Sequence, residues 1–239
     1  RSVALEIWRA AGEATAALFG PSLESLGIGK RERVNAKGTP VAWIPVDKIA
    51  RSLCGSHFGY ELYASPKVDL CAATGNALVC GSAFADRLSP ALRFRVARKI
   101  ALLRDHLAPL DALDDDELAL FFAACARVAE LPMPPVLATL PAGKIDERAK
   151  ALSKPLARKE KKALQAIGAR MATLPPPGEW KQAILEGAAR AALAVGGDLV
   201  AAFGELGLTM ARDARAQSLT TFAVSDDFRV LRRDMGLKG

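Results

Sequence analysis

The chain has 239 residues, of which 51% are hydrophobic and 25% charged, with a net charge of +7. That apolar share supplies the core of one large or two small domains and excludes disorder over the whole length. No apolar run reaches the roughly 18 residues of a membrane helix; the stretch from Ala188 to Phe203 comes nearest and is interrupted by Arg190, Gly196, Gly197 and Asp198.

The positive excess suits an acidic partner, a nucleic acid or an anionic surface. It is spread along the chain, with one dense run at Arg158-Lys159-Glu160-Lys161-Lys162 that reads as a solvated helix face. The first twenty residues are amphipathic and lack a signal-peptide layout, so the expected location is cytoplasmic. The chain begins at Arg1 and not at methionine, which suggests a fragment of a longer protein.

Val3 to Phe19 reads as one helix, with Leu5, Trp8, Gly12, Ala16 and Phe19 at helical spacing and Gly20-Pro21 as its stop. Val41 to Ile44 is a short β-like run, and Pro45-Val46-Asp47 opens a helix that ends at Cys54, before Gly55. Three strands follow, at His57 to Ala64, Val68 to Ala72 and Asn76 to Cys80, the last entered through the turn cluster Thr74-Gly75-Asn76.

Ser89-Pro90 is a helix start, an N-cap residue with proline at the first helical position. The helix runs to about His106 with an apolar stripe of Leu92, Val96, Ile100 and Leu103. The acids Asp114, Asp115, Asp116 and Glu117 cap another helix to about Glu130. They lack the glycine turn and alternating ligands of a calcium loop.

A proline-rich segment from Leu131 to Gly143 is an ordered loop or linker. Beyond it, Lys144 to Leu174 is helical and basic, Glu179 to Ala194 and Asp198 to Leu206 are helices, and Ser225-Asp226-Asp227 caps a last helix to about Asp234. The expected fold is therefore α+β and predominantly helical. A small sheet at about 41–81 packs on the helices at 90–106 and 114–130. The whole of 1–239 is expected to be a single domain, with a core at about 41–130 and a helical part at about 144–239.

Several chemistries leave no trace. There is no Gly-x-x-x-x-Gly-Lys-Ser/Thr phosphate loop and no Gly-x-Ser-x-Gly nucleophile elbow. The four cysteines, Cys54, Cys71, Cys80 and Cys125, form no Cys-x-x-Cys pair, and three of them sit in apolar runs as small buried hydrophobes. The two histidines, His57 and His106, have no metal-ligand spacing, and the Cys54/His57 neighbourhood lacks a third orienting residue. No cofactor is expected.

The segment from Phe58 to Asp105, about a fifth of the chain, resembles the core of the zinc metallopeptidases related to CAAX prenyl endopeptidase. In that family a strand and an edge segment with an Asn-Ala pair lead through a glycine-bearing turn into a helix carrying His-Glu-x-x-His. Here Asn76-Ala77-Leu78-Val79-Cys80-Gly81-Ser82-Ala83-Phe84 precedes the helix that opens at Ser89-Pro90. Aligned by apolar pattern, the two metal-binding histidines fall on Arg98 and Leu102, and the general-base glutamate falls on Lys99. Arginine and lysine bring positive charge where the metal's charge would sit, and leucine has no lone pair to give. The same pattern also fits a plain strand–turn–helix unit.

Ala188 to Phe203 and Ser225 to Leu237 resemble the tail of large bacterial tetratricopeptide-repeat proteins that end in such a domain without its metal ligands. The third-ligand glutamate would fall near Val230. The resemblance implies a pseudo-enzyme, a non-catalytic scaffold or protein-interaction domain with a protein as partner. In it Arg98 and Lys99 would hold the old cleft together through Asp69, Asp86 or Asp234. The alternatives are a basic helical nucleic-acid-binding domain and a hydrolase with an unfamiliar site.

Overall fold

The computed structural model describes residues 3–209 and 213–237. It is a predominantly helical α+β protein with one small three-stranded mixed sheet. The chain divides into two compact units, each assembled from two stretches: Arg1–Gly20 with Asp105–Ile184, and Pro21–Arg104 with Leu185–Gly239. The range 41–130, expected as the core of a single domain, contributes residues to both units.

The first unit is all helix. Its N-terminal stretch forms α1 (Val3–Ala10) and α2 (Gly12–Phe19), two helices where the periodicity predicts one. The break is at Ala11, whose N–H is shared between the Ile7 and Trp8 carbonyls at 3.1 and 3.2 Å. Gly12 follows at once, the poorest helix former after proline. Three of this unit's later helices, numbered in chain order, are α5 (Asp115–Val128), α6 (Ala142–Ser153) and α7 (Arg158–Ile167). The unit's last element is the N-terminal part of α8 (Pro177–Gly196).

Asp114 caps α5 by accepting the Glu117 N–H at 2.7 Å, so the acidic cluster does the capping its position predicts. Helix α5 is buried from Leu118 to Ala126 and packs on α6. An aromatic cluster fills the centre: Trp8 lies 5.1 Å from Phe121 and 5.7 Å from Trp180, and Phe122 meets Trp180 edge-on at 5.2 Å. Trp8 also donates its indole N–H to the His106 carbonyl at 2.9 Å. The proline-rich segment is ordered by a 3₁₀ turn at Pro135–Leu137 that buries Leu137.

The second unit contains the sheet. Its helices are α3 (Ile44–Cys54), α4 (Pro90–Arg104), the rest of α8, α9 (Leu199–Leu206), α10 (Ala214–Ala223) and α11 (Asp226–Asp234). Its strands are β1 (Glu61–Ala64), β2 (Leu70–Ala73) and β3 (Ala77–Cys80), in the order β1-β3-β2. Strand β3 is parallel to β1, pairing Leu62 with Leu78, and antiparallel to β2, pairing Ala72 with Leu78. The turn between β2 and β3 takes Gly75 and Asn76 to φ of 73° and 56°, the left-handed region open to glycine and tolerated by asparagine.

One sheet face packs Tyr63, Ala73, Ala77 and Val79 onto Ile28. Successive residues alternate sides, which turns Leu62, Leu78 and Cys80 to the opposite face. Helix α4 packs against β2, and it also contacts α3 and α9.

Two expectations are corrected here. Val41–Trp43 is a 3₁₀ turn and not a strand, so the sheet spans Glu61–Cys80 and not 41–81. Pro40 and Pro45 bracket this run, and Pro45 in the first turn of α3 presets helical backbone. Of the two helices expected on the sheet, only α4 shares its unit, whereas α5 is central to the other. Helix α10 was not foreseen at all. Its N-cap, Asp213, accepts the Arg215 N–H at 2.8 Å.

Candidate binding pocket

Helix α4 starts as the sequence dictates: Ser89 Oγ accepts the Leu92 N–H at 3.2 Å and Pro90 occupies the first turn. Phe94, Val96, Ala97, Ile100, Ala101, Leu102 and Leu103 are all buried, while Leu92 is only half-buried. The helix is therefore enclosed around most of its circumference. Its exposed residues are Pro90, Arg93 and Arg104, and Arg95, Arg98 and Lys99 form a partly covered strip. These positions are spaced i, i+3, i+4, so they share one face, and all three are half-buried.

The strip borders a pocket of about 150 Å³. Arg95, Arg98 and Lys99 form its cationic side, Glu205 and Leu206 at the end of α9 stand opposite, and Leu70 of β2 and Phe94 add apolar wall. Arg95 has three neighbours that hold it. It donates to the Asp69 carboxylate, its Nε lies 3.4 Å from Glu205 Oε2, and its guanidinium sits 5.4 Å from the centre of the Phe84 ring. Lys99 reaches close enough to Cys71 for its charge to oppose the burial that raises that thiol's pKa.

The three positions matched to the metallopeptidase motif divide between two environments. Arg98 and Lys99 line the pocket together. Leu102 is fully buried in the core. Val230, at the expected third-ligand position, lies on α11 and is 43% exposed. Of the carboxylates named as partners for Arg98 and Lys99, Asp69 binds Arg95, and Asp234 lies 3.8 Å from Arg233. Arg95, Glu205 and Leu206 were missed as pocket residues. Helical spacing from Arg98 reaches Arg95, but nothing in the chain announces that α9 closes the pocket.

Among the described residues no three His, Cys, Asp or Glu side chains gather as a metal site requires. No disulfide joins the cysteines. Burial pushes the Cys80 thiol up to about 12 and raises Cys125 as well, which makes both poor nucleophiles. His57 is exposed just beyond the end of α3, and Cys54 is half-buried.

The first unit has a wider groove of about 360 Å³ bordered by Arg9, Gly12, His106, Lys159 and Glu160. Two of its charges are engaged: Arg9 pairs with Asp105 at 3.3 Å, and Glu160 accepts the Ala157 N–H at 2.5 Å. The basic run on α7 is the solvated face it was read as, with Arg158, Lys159 and Lys162 exposed and Leu164 the helix's one buried residue. Among the described residues no helix is long and apolar enough to cross a membrane. No protein-family model, curated protein or solved structure matches the chain.

Proposed function

We propose that this chain is a non-catalytic protein-interaction domain, a pseudo-metallopeptidase whose former metal cleft has become a cationic binding pocket. One observation supports the reading: Arg98 and Lys99, which the resemblance matches to a metal ligand and the general base, line a pocket with Arg95 on the same helical face. Neither residue type coordinates zinc in this setting, and Leu102 at the second ligand position offers no donor atom. Leu70, Phe94 and Leu206 add apolar lining beside the charged groups of a mainly polar pocket. The larger protein envisaged is one of tetratricopeptide repeats acting in the cytoplasm.

A second reading, nucleic-acid binding, is favoured by the exposed Arg158, Lys159 and Lys162 of α7 and the net charge of +7. Phosphate contacts lose affinity steeply with salt, which separates the two readings.

The test is site-specific photo-crosslinking in cells. A benzophenone amino acid at Leu206 is compared with one at Val41, which is 83% exposed and outside the pocket. A discrete polypeptide adduct formed from position 206 alone, and lost on Arg98→Glu, supports the reading. Nucleic-acid adducts, or identical adducts from both positions, contradict it.

A further inference from the structure

We infer that helices α6 and α7 form a docking surface for double-stranded DNA, gripped through its phosphate backbone without regard to sequence. The surface is distinct from the α4 pocket and belongs to the other unit. The inference rests on the nucleic-acid reading, to which it adds a surface, a strand form and a mode of contact.

Charge carries the argument. Residues 144–170 hold nine Lys or Arg against three Asp or Glu, which leaves +6 of the chain's +7. Cations occur all along the sequence, but nearly all of their excess lies in these two helices. Arg148, Lys161 and Arg170 are engaged by Glu117, Glu130 and Glu6. Lys144, Lys150, Lys154, Arg158, Lys159 and Lys162 are exposed, and their side chains make no ion pair or hydrogen bond among the described residues. Of the three acids, Asp146 pairs with Arg127, and Glu160 accepts the Ala157 N–H. Glu147 alone stands exposed without such a contact, one acid against six cations.

These cations sit on outward faces. At about 100° per residue, Arg158, Lys159 and Lys162 lie opposite Leu164, the one buried residue of α7. The buried residues of α6 are Ile145, Ala149 and Leu152, and Lys150 and Lys154 lie away from them. Lys154 and Arg158 are four residues apart, so no more than about 14 Å of chain separates the two groups. Lys150 and Lys154, like Arg158 and Lys162, stand about 6 Å apart along the helix. A DNA strand carries a phosphate about every 3.4 Å of its axis, so each pair spans about two phosphates.

The rest of the surface selects the ligand. No large hydrophobic side chain is exposed between 144 and 170, so nothing there enters a bilayer or builds the apolar centre of a protein interface. The segment has no Phe, Trp or Tyr, the rings on which single strands stack. Its only neutral polar side chains, Ser153 and Gln165, already donate to the Lys150 and Ala129 carbonyls, whereas duplex RNA is recognised partly through its 2′-hydroxyls. Long-armed cations alone are what binding to a DNA backbone requires.

The probe is a fluorescein-labelled DNA duplex of about two helical turns, titrated with the full chain and read by anisotropy between about 50 and 200 mM salt. Equal binding of unrelated sequences is expected, with log K falling against log salt at a slope of about −4. Lys154→Gln, Arg158→Gln, Lys159→Gln and Lys162→Gln combined should flatten that slope by about 3 and weaken binding at least about tenfold at the lowest salt. Lys37→Gln, Lys67→Gln, Arg87→Gln and Arg93→Gln remove the same charge from exposed positions of the other unit and should leave the slope unchanged. Should the first fourfold variant fail to fold, Arg158→Glu with Lys162→Glu should produce a comparable loss. An equal loss in both fourfold variants overturns the inference. So does tighter binding of a single strand, of duplex RNA, of phosphatidylserine vesicles or of polyglutamate at equal charge. DNA binding that keeps its slope without the α6–α7 cations defeats this surface but not the nucleic-acid reading, whereas no DNA binding by the parent chain defeats both.

Discussion

Arg95 and Glu205 meet at 3.4 Å, tying helix α4 to the end of α9. Both side chains are about 70% buried, at 30% and 29% exposure, so the contact is partly shielded from water. It joins two sides of the α4 pocket.

Removing one end of that tie should be modest, and removing its centre larger. Glu205→Gln is expected to cost at most about 1 kcal/mol, the range of partly exposed ion pairs. Arg95→Ala also gives up Asp69 and the Phe84 ring, and should cost about 1–2 kcal/mol. Urea denaturation of the two variants checks the order. Equal losses would mean that Asp69 and Phe84 contribute nothing to holding Arg95.

The sequence was most legible where local chemistry decides. Ser89-Pro90, Asp114 and Asp198 marked helix starts because each satisfies otherwise unpaired N–H groups at a helix end, and all three are found there. Gly75-Asn76 marked the turn between β2 and β3 for a similar local reason. Where the outcome depends on tertiary context, the sequence was silent or misleading. Val41-Ala42-Trp43 has strand-like residue types, but with no strand beside it the adjacent prolines set its backbone. Helix α10 escaped notice because its buried residues, Ala216 and Leu219, are too few to form a stripe. The pocket was half legible. Arg98 and Lys99 were found through motif spacing, but Glu205 and Leu206 arrive from a distant stretch that only the fold brings alongside.

The phase of α4 is tested by Ile100, which is fully buried. Ile100→Ala should destabilise the protein by roughly 2–5 kcal/mol through lost transfer energy and the cavity left behind. Thermal denaturation measures it. A loss within experimental error would mean that Ile100 is not in the core and that the face assigned to Arg98 and Lys99 is wrong.

In the first unit, Trp8 serves both as a ring in the aromatic cluster and as the donor to the His106 carbonyl. Trp8→Phe keeps an aromatic ring but removes the N–H. It should cost about 1–2 kcal/mol for the unmade hydrogen bond, in addition to any loss of packing volume. Trp8→Leu, which abandons the ring contacts too, should cost more. A Trp8→Phe variant as stable as the parent would show that the carbonyl finds another donor.

The cysteines give a pH prediction with a definite sign. Burial raises the Cys80 thiol to about 12, above the roughly 8.5 of an unfolded chain. The folded state therefore holds its proton where the unfolded state has released one, and the stability this contributes is present below about 8.5 and is lost as pH rises towards 12. Cys125 shifts in the same direction for the same reason. A thiol reagent at pH 8 should leave both unmodified in the native protein and modify all four cysteines in urea. Rapid native modification of Cys80 or Cys125 would contradict the burial on which this rests.

The central claim is that the α4 face carries cations for binding where a peptidase would carry a metal and its base. Elemental analysis of the purified full chain, paired with a peptide-hydrolysis assay on the same preparation, tests it most directly. The account predicts zinc far below stoichiometry and no hydrolysis above the blank, with or without added zinc. About one zinc per chain, as a catalytic site requires, together with hydrolysis abolished by Arg98→Gln or Lys99→Gln, would contradict it.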